Sequence, residues 1–122
     1  MSEDGVLKPS HLITPTVLHI LLSLAEEDRH GAGIKSDVEE RTEGSLNLGP
    51  ATLYEAIHRL ERSGWIAVTQ PPEQETQGRG NHRKYYRLTN AGRSELNAEL
   101  QRLNEIVHFA KARRIFWEPG SA

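Results

Sequence analysis

The sequence predicts a mainly α-helical fold with a small β-hairpin and a long C-terminal helix. Three observations support this. Apolar residues recur at helical spacing in four segments, two short segments are rich in β-branched and aromatic residues, and glycine or proline stands between most of these elements. With 122 residues, the chain is long enough for one domain core and one additional element.

The first two helices are predicted before residue 45. Thr14 can cap the first helix, with Pro15 at its first position, where the missing N–H costs nothing. That helix is apolar almost all round, which predicts burial against several neighbours. After the glycine-interrupted stretch 31–33, Ile34 and Val38 stand four apart above a charged face. They predict a short second helix that ends at Gly44.

The third helix and the hairpin follow directly on one another. Gly49 and Pro50 begin the helix and Gly64 ends it, and its apolar stripe consists of Leu53, Ile57 and Leu60. Residues 65–70 and 83–88 are predicted strands, and the residues between them are polar with two prolines and two glycines. Because neighbouring strand residues alternate in direction, we expect only one of Tyr85 and Tyr86 in the core.

The last helix begins after Thr89, a candidate N-cap, and extends from about residue 90 to residue 114. Its apolar residues recur at alternating spacings of four and three, which is typical of a seam between two helices. We therefore predict that residues 90–114 form a dimerisation helix. The residues of the seam are Leu96, Leu100, Leu103, Val107 and Ala110.

Charge is distributed unevenly along the chain. The formal net charge is -2, yet residues 79–94 contain five basic residues and no acidic residue. By itself such a segment is equally well explained as a solvated, arginine-rich loop. Here it lies on the tip and second strand of a hairpin that follows a helix with a polar outer face. A helix that enters a major groove beside a basic hairpin that follows phosphates is a winged helix-turn-helix arrangement.

This arrangement predicts two sets of DNA-contacting residues. On the third helix they are Thr52, Tyr54, His58 and Arg59, and in the hairpin they are Arg79, His82, Arg83 and Lys84. Two of them have alternative interpretations. Tyr54 can be mostly a core residue with its hydroxyl at the surface, and Arg59 can form a surface salt bridge with Glu55, four residues earlier.

Other functional classes find little support. The chain has no cysteine, which excludes a disulfide framework, thiol catalysis and cysteine-ligated zinc. Its six histidines lack a short metal-ligand spacing, and "GAGIKS" lacks the spacing of a phosphate-binding loop. No apolar run approaches the ~20 residues of a membrane span, and no secretory signal is recognisable. We expect a cytoplasmic protein that is not an enzyme, without cofactor, metal or membrane contact.

Three stretches closely resemble the PadR family of bacterial winged-helix transcriptional regulators. They are "HGAGIKSDVEERTEG", "LGPATLYEAIHRLERSGWI" and "RKYYRLTNAGRSEL". The single C-terminal helix resembles the short subgroup of the family. One departure concerns the third helix, where family members often have Ser-Pro-Gly-Thr-Leu-Tyr. This chain has glycine at residue 49 instead, so a hydroxyl cap is missing.

The resemblance implies a homodimeric DNA-binding repressor that, in some members, a small molecule releases from DNA. Residues 12–89 would be the winged helix-turn-helix domain, residues 90–114 the dimerisation helix, and residues 1–11 and 115–122 flexible ends. Phe109, Phe116 and Trp117 either close hydrophobic contacts or line a cleft for a small aromatic effector, as aromatic residues do in some relatives.

Two functional hypotheses follow. The first is a sequence-specific, dimeric repressor of a roughly palindromic double-stranded operator. The second is a winged-helix protein-interaction module whose hairpin binds an acidic partner instead of DNA.

Overall fold

The computed structural model describes residues 13–73, 83–117 and 119. The elements are α1 (Pro15–Glu26), β1 (Arg29–His30), α2 (Gly31–Arg41), α3 (Pro50–Arg62), β2 (Ile66–Thr69), β3 (Tyr85–Leu88) and α4 (Asn90–Ala112). We call β2, β3 and the residues between them the wing. The predictions for residues 1–12 and 74–82 lie outside the described residues. No helix in the described part of the chain is long and apolar enough to cross a membrane.

Three of the helices begin where the sequence predicts. The Thr14 hydroxyl accepts a hydrogen bond from the Val17 N–H at 3.2 Å, and the Thr89 hydroxyl accepts one from the Gly92 N–H at 3.0 Å. Each satisfies an amide that has no partner within its own helix. Helix α3 begins after Gly49 with proline in its first turn and no side-chain cap, as its missing hydroxyl predicts.

Helix α2 begins three residues earlier than the sequence predicts. His30 caps it, because its Nδ1 accepts a hydrogen bond from the Gly33 N–H at 3.0 Å. The glycines that we interpreted as an interruption therefore belong to its first turn. The helix ends at Arg41, and Gly44 follows with a φ of 81°, a left-handed conformation that favours glycine.

The sheet has three antiparallel strands in the order β1-β3-β2, where the sequence predicts only a hairpin. In the hairpin, Ile66 pairs with Leu88. The additional strand has two residues, and it pairs His30 with Tyr85. Of the two tyrosines, Tyr86 belongs to the core cluster, as expected for one of them. Tyr85 lies outside that cluster but is also buried, with its ring edge-to-face against His30 at 5.1 Å.

One hydrophobic core joins all four helices and the wing. Its most deeply buried members are Ile20, Leu21, Ile34, Val38, Leu53, Ile57, Leu60 and Ile66. Helix α4 contributes Leu96. The start of α4 approaches the wing so closely that a Cβ at Gly92 would lie 2.8 Å from Leu88 Cδ1 and 2.9 Å from the Trp65 carbonyl carbon. Only glycine fits this contact without a shift of the backbone.

A polar cluster holds α2 against α1. Arg41 donates to the His19 carbonyl oxygen at 3.0 Å and pairs with Asp37 at 3.0 Å. Arg29 lies 3.6 Å from the same carboxylate. Burial raises the pKa of Asp37, but the nearby Ser23 hydroxyl, the Arg41 hydrogen bond and the two positive charges outweigh it, so the pKa lies below its ordinary value. The cluster thus favours an ionised Asp37 between the two arginines.

Candidate nucleic-acid interface

Helix α3 buries one apolar stripe, in which Leu53, Ile57 and Leu60 face the core. Ala56 packs against the same core. The polar residues of the helix lie on the side away from this stripe. The four predicted contacts of α3 lie on this outer side: Thr52, Tyr54 and His58 are exposed, and Arg59 is half-buried.

Tyr54 lies at the surface and not in the core. About half of its side chain is exposed, at 47%. Its ring lies against the first residue of α2, where a Cβ added at Gly31 would come within 2.9 Å of the Tyr54 Cζ. The absence of a side chain at residue 31 therefore permits the close approach of α3 to α2. The core interpretation of Tyr54 does not describe its position.

A cleft of about 360 Å³ opens where α2, α3 and the wing meet. Its lining residues are His30, Gly31, Ala32, Tyr54, Arg83, Lys84 and Tyr86. The Arg83 Nη1 lies 2.8 Å from the His30 Nε2. Two side chains predicted from the wing, Arg83 and Lys84, are thereby brought beside Tyr54 of α3. We call this the phenol–guanidinium cleft.

A second, smaller depression of about 180 Å³ lies between α3 and the start of α1. Thr52 and Arg59 line it together with Glu55, and residues from the first turn of α1 complete it. Of the predicted residues of α3, Tyr54 lines the first depression, Thr52 and Arg59 line the second, and the exposed His58 lines neither. A carboxylate in the second makes it less favourable for an anion than the first.

Two of the predicted contacts, Arg79 and His82, lie outside the described residues. Four residues of the cleft were missed as site residues by the sequence analysis: His30, Gly31, Ala32 and Tyr86. A signal for His30 was present, because a residue with a side-chain acceptor directly before a helix is an N-cap candidate. The glycines that follow it were interpreted as a break, so the helix was predicted to begin at Ile34 and not directly after His30. Within the described ranges, no three His, Asp or Glu side chains converge in a way that could hold a metal ion.

The predicted seam of α4 is divided between two environments. Leu96 is buried in the core of its own domain, whereas Leu100 and Val107 are 39% and 40% exposed. Leu103 and Ala110 are half-buried. Beyond residue 100 the helix and the residues after it expose further large apolar side chains: Ile106, Phe109, Ile115, Phe116 and Trp117. We call this set, with Leu100 and Val107, the apolar end of α4.

The predicted effector residues belong to this apolar end. Phe109, Phe116 and Trp117 are all exposed, and the Arg113 guanidinium lies over the Phe109 ring at 4.7 Å from its centre. This cation–π contact covers part of one face of the ring.

Comparison with known proteins gives consistent matches. The model of the family described as "Transcriptional regulator PadR-like family" matches residues 18–98. A transcriptional regulator of Mycobacterium tuberculosis is 35% identical over 90 residues, which cover 74% of this chain and 77% of that protein.

Solved structures of similar fold include a PadR family transcription regulator from Clostridium difficile. It is 33% identical, with a TM-score of 0.61 over 78% of this chain and 95% of that one. Bacillus subtilis PadR, solved in complex with operator DNA, is 24% identical, with a TM-score of 0.58 over 68% of this chain and 45% of that one. The predicted winged helix-turn-helix fold is confirmed by these structures.

Proposed function

The chain belongs to the PadR-like family of transcriptional regulators, and from this premise we propose that it is a homodimeric repressor of an operator that its third helix and wing bind. The observation that carries the proposal is the meeting of Tyr54, Arg83 and Lys84 in one cleft on the exposed side of α3. Hydroxyl, guanidinium and ammonium groups are hydrogen-bond donors that phosphates and base edges accept from. The operator complex of Bacillus subtilis PadR, which shares the fold, supports DNA as the partner.

In this proposal α3 enters the major groove and the wing follows the phosphates beside it. Thr52, His58 and Arg59 then face the groove, and Arg83 and Lys84, together with Arg79 and His82, contact the backbone. The protein-interaction alternative has no specific support, because a partner other than DNA would be favoured by an acidic or apolar surface around α3. Footprinting of the region upstream of its own gene distinguishes the two, since only the DNA-binding hypothesis expects a protected site there.

Dimerisation through the apolar end of α4 completes the proposal. Apolar patches of this kind on a monomer's surface typically mark an interaction site, and two-fold symmetry is the commonest arrangement of a homodimer. The operator is then roughly palindromic, with half-sites about 34–36 Å apart. We assign residues 90–114 to the dimerisation helix, with Leu96 supporting it from within the domain core.

Replacement of Arg59 tests whether this side chain contributes to sequence specificity by contacting a base. If its guanidinium contacts a guanine, Arg59→Ala loses about 1–3 kcal/mol of discrimination at particular base pairs. The measurement compares the affinity for the footprinted operator with the affinity for a random duplex of equal length. A similar loss on both duplexes would assign Arg59 to positioning and the base readout to other residues of α3.

Release of the repressor by a small aromatic effector is the last part of the proposal. We assign its site to Phe109, Phe116 and Trp117, because exposed aromatic faces can stack on an aromatic ligand. In a Trp65→Phe variant, Trp117 is the remaining tryptophan, and its fluorescence should change when an effector releases DNA. An aromatic ligand that releases DNA without changing this signal binds elsewhere.

A further inference from the structure

We propose that Thr89 is a positioning residue that determines which spacing of operator half-sites the dimer accepts, because it fixes the start of α4 against the end of α3. The proposal rests on the dimeric DNA binding proposed above. In it, Thr89 acts through the direction of α4 and not through a contact with DNA. We call the contacts among Gly64, Trp65, Thr89 and Gly92 the α3–α4 joint.

One peptide group connects the two helices. The N–H of the Gly64–Trp65 peptide, on Trp65, donates to the Leu60 carbonyl oxygen of α3 at 3.0 Å. The carbonyl oxygen of the same peptide, on Gly64, accepts a hydrogen bond from the Thr89 hydroxyl at 2.7 Å. Because a peptide group is planar and rigid, the last turn of α3 and the cap of α4 are bonded to opposite sides of one rigid unit.

The Thr89 hydroxyl has a partner for its donor and for its acceptor in this position. It donates to Gly64 at 2.7 Å and accepts from the Gly92 N–H at 3.0 Å, as one O–H and its lone pairs allow. The Thr89 N–H also donates to the Trp65 carbonyl oxygen at 3.1 Å. Thr89 thus caps α4 and binds the turn after α3 at the same time.

A close backbone contact restricts movement at the joint. A Cβ at Gly92 would overlap the Trp65 carbonyl oxygen, and Trp65 is itself buried in the core. The first turn of α4 therefore lies directly on the backbone that leaves α3. Movement of α4 toward this backbone is blocked, and movement away from it breaks the hydrogen bonds of Thr89.

The direction of α4 is determined near its start. Its buried residues are Gly92, Leu96 and Glu99, which all lie in the first half of the helix. At a rise of about 1.5 Å per residue, its 23 residues span about 34 Å. A tilt of about 6° at the joint would displace the far end by about 3.5 Å, close to the rise of one base pair. Because the proposed dimer contact lies toward that end, such a tilt changes the separation of the two copies of α3.

Substitutions of Thr89 can separate capping from the joint. Thr89→Asp keeps an oxygen that can cap α4, but an ionised carboxylate has no donor for the Gly64 carbonyl oxygen. Thr89→Ser keeps a hydroxyl that can serve both roles, so it should bind as the unmodified protein does. Asn90→Asp places the same charge on the next residue, which is exposed, and is the control for charge.

The measurement compares the affinities of each protein for duplexes of equal length. They contain the footprinted operator, the same operator with one base pair inserted or removed between its half-sites, or a single half-site. We expect the unmodified protein and Asn90→Asp to prefer the original spacing. Thr89→Asp should lose roughly fivefold of this preference, as for one neutral hydrogen bond. Its affinity for the single half-site should not change, because α3 and the wing are unaltered.

Three results would overturn the positioning role. The first is an unchanged spacing preference in Thr89→Asp, and the second is a loss of the preference in Thr89→Ser. The third is a proportional weakening on every duplex, the single half-site included, which would mean that Thr89 contributes only to stability. Thermal unfolding shows whether Thr89→Asp is folded. If it is not, Thr89→Gly replaces it, because glycine is tolerated at an N-cap and also lacks the donor.

The unmodified protein separates this inference from the proposed function. If it binds the operator but accepts every spacing equally, the positioning role fails and the DNA binding stands. If it binds no duplex, the proposed function fails and the inference fails with it.

Discussion

The surface around α3 and the apolar end of α4 differ in almost every property that determines a partner. Around α3, the phenol–guanidinium cleft is formed by Tyr54, Arg83 and Lys84 with the cap of α2. At the apolar end of α4, Ile106 and Phe109 are about half exposed, and large exposed apolar side chains recur as far as Trp117. The difference agrees with the two partners proposed above, a DNA duplex and a second copy of the chain.

Helix α4 itself has two parts with different surroundings. Its first half contacts the core through Leu96 and Gly92, both of which are buried. Leu100 and Val107, further along the helix, have no such cover and remain about two-fifths exposed. The first part of α4 thus packs against the domain core, whereas its last turns expose apolar side chains.

Charge at the apolar end should have the largest effect. In a Leu100→Glu, Val107→Glu double variant, dimerisation would bury uncompensated carboxylates, each at a cost of about 3–5 kcal/mol. We expect a monomer by sedimentation at micromolar concentration, with operator affinity lost as a consequence. The matched control is Gln101→Glu, which adds a carboxylate to an exposed position of the same helix and should leave the dimer intact. Survival of the dimer in the double variant would refute the assignment of this surface.

Truncation of Leu96 tests whether the first part of α4 contributes to the stability of the domain. Leu96→Ala leaves a cavity in the domain core, and such changes typically cost 2–5 kcal/mol of the free energy of unfolding. Leu100→Ala, one turn further along the helix, should cost much less in a variant that is already monomeric. Chemical denaturation of both proteins in the monomeric background measures this difference. Equal losses would mean that Leu100 also packs within its own domain.

The smallest effect is expected from the polar cluster between α1 and α2, away from both surfaces. Because the pKa of Asp37 is lowered in the folded protein, its contribution to stability is complete above the ordinary pKa of 3.8. It is lost as the pH falls through the lower folded value. Asp37→Asn should therefore be less stable than the unmodified protein near neutral pH, by at most about 1 kcal/mol. The two proteins should converge in acid, and a difference that persists at pH 2 would assign the effect to something other than ionisation.

Much of this fold could be predicted from the sequence because its signals are local. Thr14, Thr89 and Gly64 mark helix ends through their own side chains or backbone freedom, so the starts of α1 and α4 and the end of α3 follow from a few residues. The family match confirms the prediction of a transcriptional regulator that is not an enzyme. Strand β1 could not be predicted, because two residues have no periodicity and their conformation depends on pairing with β3.

The parts of the candidate site that were missed depend on tertiary contacts. The burial of Leu96 by its own domain is not visible in a seven-residue spacing, which indicates an apolar side but not what covers it. The position of His30 beside Arg83 joins residues 53 positions apart. No local pattern records such a contact, so the cleft became recognisable only when the wing was placed against α2.

The salt dependence of DNA binding tests the central claim most directly. Each phosphate that a cation neutralises adds about 0.9 to the magnitude of the slope of log affinity against log salt. Two double variants are compared. Arg83→Ala, Lys84→Ala changes the wing, and Lys111→Ala, Arg113→Ala changes the region where α4 ends. Each variant removes two positive charges. The wing variant should have a flatter slope, by roughly 0.9 for every lost contact, with its preferred sequence unchanged. The α4 variant should keep the original slope. A wing variant whose slope equals that of the unmodified protein would contradict the account.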